Sequence, residues 1–440
     1  MTEDIFAQMG AAIEKTTLTR PIGAVLQIAG NRIQIGGISQ FARVGDRIKV
    51  IGDNTLGEVV RTAQEGLDAI MDGSTEGFGL GAKVVLLPRP EFAPHSGWIG
   101  RVVDPDGKPL DGRPLLPGLT GQPVQAPPPA ASTRRELGQR LSTGFAVFDT
   151  ILPIVRGQRI GLFAGSGVGK STLLSSLAKT VEADVIVIGL VGERGRELRE
   201  FVEKSLGPEG MKRSVIVAAT SDRAAQIRRR CPLAATAVAE FFRDQGLQVL
   251  LLVDSVTRFA EAHREVAVAA GEPANLRGHP ASTPNAIAGL CERAGPGSGH
   301  SGDITALYTV LVAGSDMEEP VADMLRGVLD GHVVLDRAIA ERGRFPAIDV
   351  TRSVSRSLPG AANAAENKLI QTARQHMGTY AQAELMIQAG LYSTGTDSKI
   401  DAAIATRDAL ETFISTEGTH GPAGAFLLLQ RAIQSSAPQG

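Results

Sequence analysis

Residues Ala164 to Thr172 read AGSGVGKST, and the stretch before them, Gln158 to Phe163, reads QRIGLF. A short apolar strand, a glycine-rich turn and a helix opening at Lys170 are the context of a phosphate-binding loop. Gly165, Gly167 and Gly169 are expected to take backbone angles that close N–H groups around phosphate oxygens. The positive end of the following helix adds to the attraction. Gly165, Ser166, Gly167, Val168, Gly169, Lys170, Ser171 and Thr172 are therefore candidate nucleotide-binding residues. Lys170 is expected on the β- and γ-phosphates and the Ser171 hydroxyl on Mg²⁺. Ala164 stands where a first glycine is usual.

Outward from the loop, Ala183 to Gly192 (ADVIVIGLVG), Ser214 to Ala218, Gln248 to Val253 (QVLLLV) and Thr305 to Val312 (TALYTVLV) are near-continuous apolar runs. Such runs mark strands buried on both faces, as in a parallel sheet covered by helices. Ligands of such sheets bind at the carboxyl ends of the strands. Asp254, closing VLLLVD 84 residues after Lys170, is the candidate Mg²⁺-side carboxylate. Glu193, in GERGRE after the apolar strand, is the candidate for polarising a water in line with the γ-phosphorus. Glu197 and Glu200 fall in the next helix and read as salt-bridge residues. Arg258 lies on the segment leaving Asp254 and is placed to return to the phosphates. Arg356, in SVSR, reads equally as a surface side chain or as a finger completing a neighbouring subunit's site.

The remaining chain predicts a multidomain architecture. Residues 1–20 carry Ile5, Met9 and Ile13 at helical spacing, with Phe6 beside them. A partner-binding amphipathic helix or a locally packed terminus fits that stripe. Short apolar runs and Gly-Asn and Gly-Asp turns over residues 21–95 predict a small β-barrel. A central α/β P-loop domain with a mainly parallel sheet is expected over residues 96–358, including a turn- and proline-rich linker at about 96–140. Residues 359–440 read as an α-helical C-terminal domain.

Of 440 residues, 43% are hydrophobic and 21% charged, which excludes wholesale disorder. The net charge of −2 announces no polyanion partner. The run Arg228–Arg229–Arg230 reads as a solvated or interface helix face. Cys231 and Cys291 sit in no metal-binding spacing and read as buried small hydrophobes in a reducing compartment. With no membrane-length apolar run, and with Glu3 and Asp4 at the amino end, a cytoplasmic protein with peripheral membrane contact is expected.

AGSGVGKST, VGERGRE, VLLLVDSVTRFAEAHREVA, ERAG, GDITALYTVLV, LDGHVVLDR and PAIDVTRSVSR, in this order, resemble the ATPases of type III secretion. These are homologues of the rotary ATP synthase α and β subunits. The similarity spans about residues 22–415. It implies a β-barrel, a RecA-like nucleotide domain and a helical domain, with ATP and Mg²⁺ bound at the interfaces of a homohexamer. It places Lys170 and Ser171 on phosphate and Mg²⁺, Glu193 on water, Arg258 on the γ-phosphate side and Arg356 in trans as the finger. The implied partners are a peripheral-stalk regulator on the N-terminal segment, a central-stalk coiled coil, export chaperones with their substrates, and the export gate at the inner membrane. The resemblance favours the flagellar export branch, with the virulence-injectisome branch as the alternative. Two departures stand out. Asn367 replaces an aromatic expected to cover adenine, and His279-Pro280-Ala281-Ser282 replaces the usual YPPS.

A non-catalytic nucleotide-binding subunit is disfavoured by Glu193, and a proton-driven synthase subunit stays open. An RNA translocase needs stacking aromatics and basic residues on its barrel. Residues 20–92 offer Phe41, Phe78 and Phe92, no Trp or Tyr, and no basic cluster, so no nucleic-acid partner is expected.

Overall fold

A computed structural model describes residues 6, 9, 10, 13, 19–87, 92–312 and 317–434. Of the expected N-terminal helix, Phe6, Met9 and Ile13 are helical and exposed. Ile5 and most of its neighbours lie outside the described residues.

Six strands close a barrel in the order β1-β2-β5-β4-β3-β6. They are β1 (Ile22–Ala29), β2 (Arg32–Gly36), β3 (Arg47–Val50), β4 (Leu56–Ala63), β5 (Gly66–Met71) and β6 (Lys83–Leu86). Closure leaves no unpaired edge, which is how a strand set this short avoids edge-to-edge association. Alternation in β2 turns Ile33 and Ile35 inward to a small core of Val25, Ile48, Val50 and Leu67. β5 is buried along its whole length because its outer face is covered as well. There Ile70 and Val60 pack on Val266 of the helix Val256–Ala269.

An eight-stranded sheet forms the centre, ordered β16-β15-β8-β14-β11-β9-β10-β7. Its strands are β7 (Val102–Val103), β8 (Arg159–Ala164), β9 (Val185–Glu193), β10 (Ser214–Thr220), β11 (Val249–Asp254), β14 (Ile304–Leu311), β15 (Gly331–Leu335) and β16 (Ile348–Ser355). Between β11 and β14, β12 (Ala274–Leu276) and β13 (His279–Pro280) make a separate hairpin. All sheet neighbours are parallel except β15 and β16. One face packs on the loop helix Lys170–Thr180 and on the helices Ala364–Gln388, Ser398–Ile414 and Gly421–Gln434. The other packs on Ala225–Asp244, Val256–Ala269 and Thr283–Glu292. The helix Ala364–Gln388 starts at a capping box in which Asn363 and Glu366 satisfy each other's backbone N–H groups.

Two expectations are corrected here. The turn-rich connector supplies an edge strand, since β7 pairs with β10 through Val102 and Val103. The proline-rich stretch is also not a free linker. Val124 packs on the core, and its carbonyl accepts a 2.7 Å bond from Arg293, whose guanidinium is buried on Glu240.

The arginine run is an interface face. Arg229 pairs with Glu58 of the barrel at 2.6 Å, Arg230 with Asp106 at 3.3 Å, and Arg228 with Glu265 at 2.9 Å. Gln226 adds a 2.7 Å bond to Asp72. The barrel is thus seated on the helix Ala225–Asp244 by buried polar contacts. Both cysteines are fully buried, and burial pushes their thiols well above the usual range. Among the described residues no helix is long and apolar enough to cross a membrane.

Candidate functional site

Parallel strands put their carboxyl ends on one edge, and three of them meet there. β8 ends at Ala164, fully buried, so the methyl in place of the usual glycine fits inside the strand. Gly167 and Gly169 have φ of 77° and 85°, a left-handed backbone that strains any other residue. Gly165 has no such angle, so two of the three loop glycines, not three, are needed for backbone reasons. Nothing lies within 4 Å of where a Cβ on Gly167 would stand, and the mouth of the loop is open.

The order β8-β14-β11-β9 places one strand between the loop and Asp254. Lys170 spans that gap of two inter-strand spacings, about 10 Å. Its Nζ donates to Asp254 Oδ1 and lies 3.9 Å from Glu193 Oε1. Ser171, Glu193, Glu197, Phe201 and Asp254 line one cavity of about 210 Å³. The Glu193 carboxyl is pushed up to about 7. Burial contributes most, followed by the charge of Asp254 and a hydrogen bond with Glu197, while Lys170 opposes the rise. A carboxyl near neutral pH, with its proton on or off according to its neighbours, suits general base work.

Arg258 stands one turn into the helix Val256–Ala269, which Ser255 caps by accepting from the Arg258 N–H. Its stem crosses Gly192, beside Glu193, and its guanidinium pairs with Glu261 at 2.9 Å, half-exposed. Glu197 pairs weakly with Arg194 at 3.5 Å, and Glu200 with Lys204 at 3.1 Å. The salt-bridge expectation therefore describes Glu200 fully and Glu197 only in part, because Glu197 also touches Glu193.

Arg356 is not at this edge. β16 runs antiparallel, so its last residue falls at the opposite end of the sheet. There the Arg356 backbone N–H donates to Asp330 O, and its guanidinium donates to Arg326 O. Asn367 lies on that side too, with its amide spent on the carbonyls of Pro359 and Ala362. Neither residue meets the loop of its own chain. The aromatic that does is Phe345, which the motif reading passed over. Its ring lies 3.2 Å from a Cβ built on Gly169 and is 51% exposed. The available signal was a lone Phe in the Arg344–Ala347 stretch RFPA, just ahead of PAIDVTRSVSR.

The polar side chains lining the cavity are hydroxyls (Ser171, Ser205) and carboxyls (Glu193, Glu197, Glu200, Asp254). This all-oxygen set fits Mg²⁺, which keeps much of its water and takes one or two protein carboxylates besides phosphate oxygens.

Residues 144–355 match the ATP synthase alpha/beta family, nucleotide-binding domain, and residues 362–418 match the T3SS EscN ATPase C-terminal domain. A flagellum-specific ATP synthase of Caulobacter vibrioides is 44% identical over 92% of this chain and 94% of its own length. The SPI-2 type 3 secretion system ATPase of Salmonella typhimurium is 46% identical over 78% of each chain. The assembled ATPase EscN of the enteropathogenic E. coli type III secretion system superposes with a TM-score of 0.87, at 36% identity, over 93% of this chain and 100% of that one. On strand order, loop, edge carboxylates and these likenesses together, the chain belongs to the type III secretion ATPase family, within the ATP synthase α/β group.

Proposed function

We propose that this protein hydrolyses Mg²⁺-ATP to drive protein export through a flagellar type III apparatus. The observation that carries the reading is that Glu193 and Asp254, at the ends of parallel strands, line one cavity with Ser171, while Lys170 reaches across to Asp254 and to within 3.9 Å of Glu193. Incoming phosphate oxygens take Lys170 from Asp254. Ser171 and Asp254 are the residues to hold Mg²⁺, which when bound neutralises charge on the β- and γ-phosphate oxygens. Glu193 accepts a proton from the attacking water as its oxygen bonds the γ-phosphorus. The bond to the β–γ bridging oxygen breaks, and ADP leaves with the electron pair. Arg258, beside Glu193, steadies the γ-phosphate side. Phe345 offers its exposed ring to the adenine face.

Arg356 lies at the far end of its own sheet, which supports a role in a neighbour's site and hence a ring of copies, a homohexamer in the assembled state. A complex of EscN with its central stalk EscO is known. Here Leu385, in the last turn of the helix Ala364–Gln388, and Leu391, just after it, are 82% and 76% exposed and suit an apolar contact with such a stalk. The N-terminal segment suits a peripheral-stalk regulator. The site of action is then the cytoplasmic face of the inner membrane, beside the export gate, receiving chaperones and their cargo. Among relatives covering about nine-tenths of the chain, the flagellum-specific one of Caulobacter is 44% identical and the type 3 secretion system ATPase of Sinorhizobium fredii 40%, which supports the flagellar branch over the injectisome. On domain limits, we take the barrel as residues 21–95, the nucleotide unit as 96–358 and the helical unit as 359–440.

Lys170→Ala tests the site. It is expected to lose nucleotide binding and turnover by more than about 100-fold while still melting in one cooperative transition. An ATPase rate close to wild type contradicts the assignment.

A further inference from the structure

The strand between the loop and Asp254, β14, contributes a polar side chain to which the sequence pattern assigns no role. Thr309 is fully buried, and its hydroxyl lies 2.7 Å from Asp254 Oδ1 and 3.3 Å from Val253 O. A hydroxyl has one proton, and the nearer, charged oxygen takes it. The register fixes this meeting. β14 pairs Thr309 with Leu162 of β8 on one side and Tyr308 with Val253 of β11 on the other, so Thr309 stands beside Asp254 on the interior strand. Tyr308, one residue earlier, points into the core on the opposite face. The strand ends are laced once more by Leu311, whose N–H donates to Thr257 Oγ1 at 2.9 Å.

Lys170 and Thr309 hold the same oxygen, Oδ1, and among the described residues Oδ2 accepts no hydrogen bond. The two donors differ in what nucleotide asks of them. Lys170 is on a long flexible stem and must turn to the phosphates. Thr309 is β-branched, on a strand flanked by two others, and stays where it is. When Lys170 leaves, Asp254 is a nearly buried carboxylate close to Glu193 with one fixed partner.

We propose that Thr309 is a positioning residue for Asp254: its hydroxyl keeps the carboxylate aimed into the cavity beside Ser171 when Lys170 turns away, and so sets how tightly Mg²⁺ is held with nucleotide. The proposal rests on the reading of Asp254 as the Mg²⁺-side acid. Partners behind a metal-binding carboxylate typically contribute about 10–100-fold to metal affinity.

The test compares Thr309→Ser, which keeps the hydroxyl, with Thr309→Ala, which removes it, in the full chain. The probe is a non-hydrolysable ATP analogue, titrated with and without Mg²⁺. Without Mg²⁺, both variants are expected to bind it within about twofold of wild type, because the loop and Lys170 are intact. The Mg²⁺ concentration giving half the affinity gain stays within about threefold of wild type in the serine variant. In the alanine variant it rises roughly 10–100-fold. Equal Mg²⁺ dependence in the two variants overturns the proposal. So does an equal loss with and without Mg²⁺, which marks a general packing effect. Thr309→Val, which keeps the shape without the hydroxyl, repeats the comparison where the alanine variant lacks a cooperative melt. Asp254→Asn separates the two readings. It is expected to abolish the Mg²⁺ gain, and a full gain in that variant removes the assignment of Asp254 itself.

Discussion

At Glu193 the raised carboxyl pKa carries a sign that stability measurements read. Its pKa rises from 4.5 unfolded to about 7 folded, mainly through burial and then through the charge of Asp254. A group raised in this way stabilises fully below its unfolded value, and that contribution is lost as pH rises through the folded one. Glu193→Gln keeps the neutral shape at every pH. Without nucleotide, the variant is expected to melt about 1–2 °C above wild type at pH 8, with the difference gone by pH 4.5. A constant difference across that range contradicts the shift. Glu193, Asp254 and Lys170 were legible in the sequence because each closes or follows an apolar run at a readable spacing. Thr309 was not, because a threonine inside ITALYTVL looks like strand filling. Phe345 was not, because nothing local says that a loop aromatic returns to a glycine 176 residues earlier in the chain.

The helix Ala225–Asp244 shows how one element serves two bodies. One flank covers the sheet through Ala234, Val238 and Phe242, and its first turns hold the barrel. The three arginines differ in burial and so in worth. Glu58 is 6% exposed, and removing Arg229 leaves its charge buried without this partner, a loss of about 3 kcal/mol. Glu265 is half-exposed, so removing Arg228 costs about 0.5 kcal/mol. Arg229→Ala is therefore expected to raise hydrogen exchange across β4 and β5 and to lower the melting temperature, and Arg228→Ala to do neither. Equal effects contradict the docking argument. The sequence read the arginine run as a helix face and residues 21–95 as short strands of a barrel. It missed β7, since two residues in a turn-rich stretch have no period, and it missed the strapped proline segment, since Val124 is fixed by a carbonyl and not by composition.

For the whole molecule, the opposite placement of the loop and Arg356 has a consequence for assembly. β8 alone spans six residues, about 20 Å, between the two ends of the sheet. On the proposed reading, a single chain carries the cradle and the acid at one end of the sheet and Arg356 at the other. Arg356→Ala and Lys170→Ala proteins, each nearly inactive alone, are expected to recover on mixing part of the wild-type rate, because some mixed interfaces join an intact loop to an intact finger. No recovery at concentrations where rings form contradicts a shared site. The barrel and the parallel sheet were legible as patterns of short runs and long apolar runs. That Arg356 lies at the far end of its own sheet was not, because it follows from β16, the strand of the central sheet that runs antiparallel.

The central claim is that the loop binds the phosphates and Glu193 drives the splitting of the terminal one. Single-turnover hydrolysis with parallel binding of Mg²⁺-ATP by Glu193→Gln tests it most directly. The account predicts binding within about threefold of wild type and a hydrolysis rate lower by at least about 100-fold. Hydrolysis within a few-fold of wild type, with binding unchanged, would assign the water to another group and contradict the account.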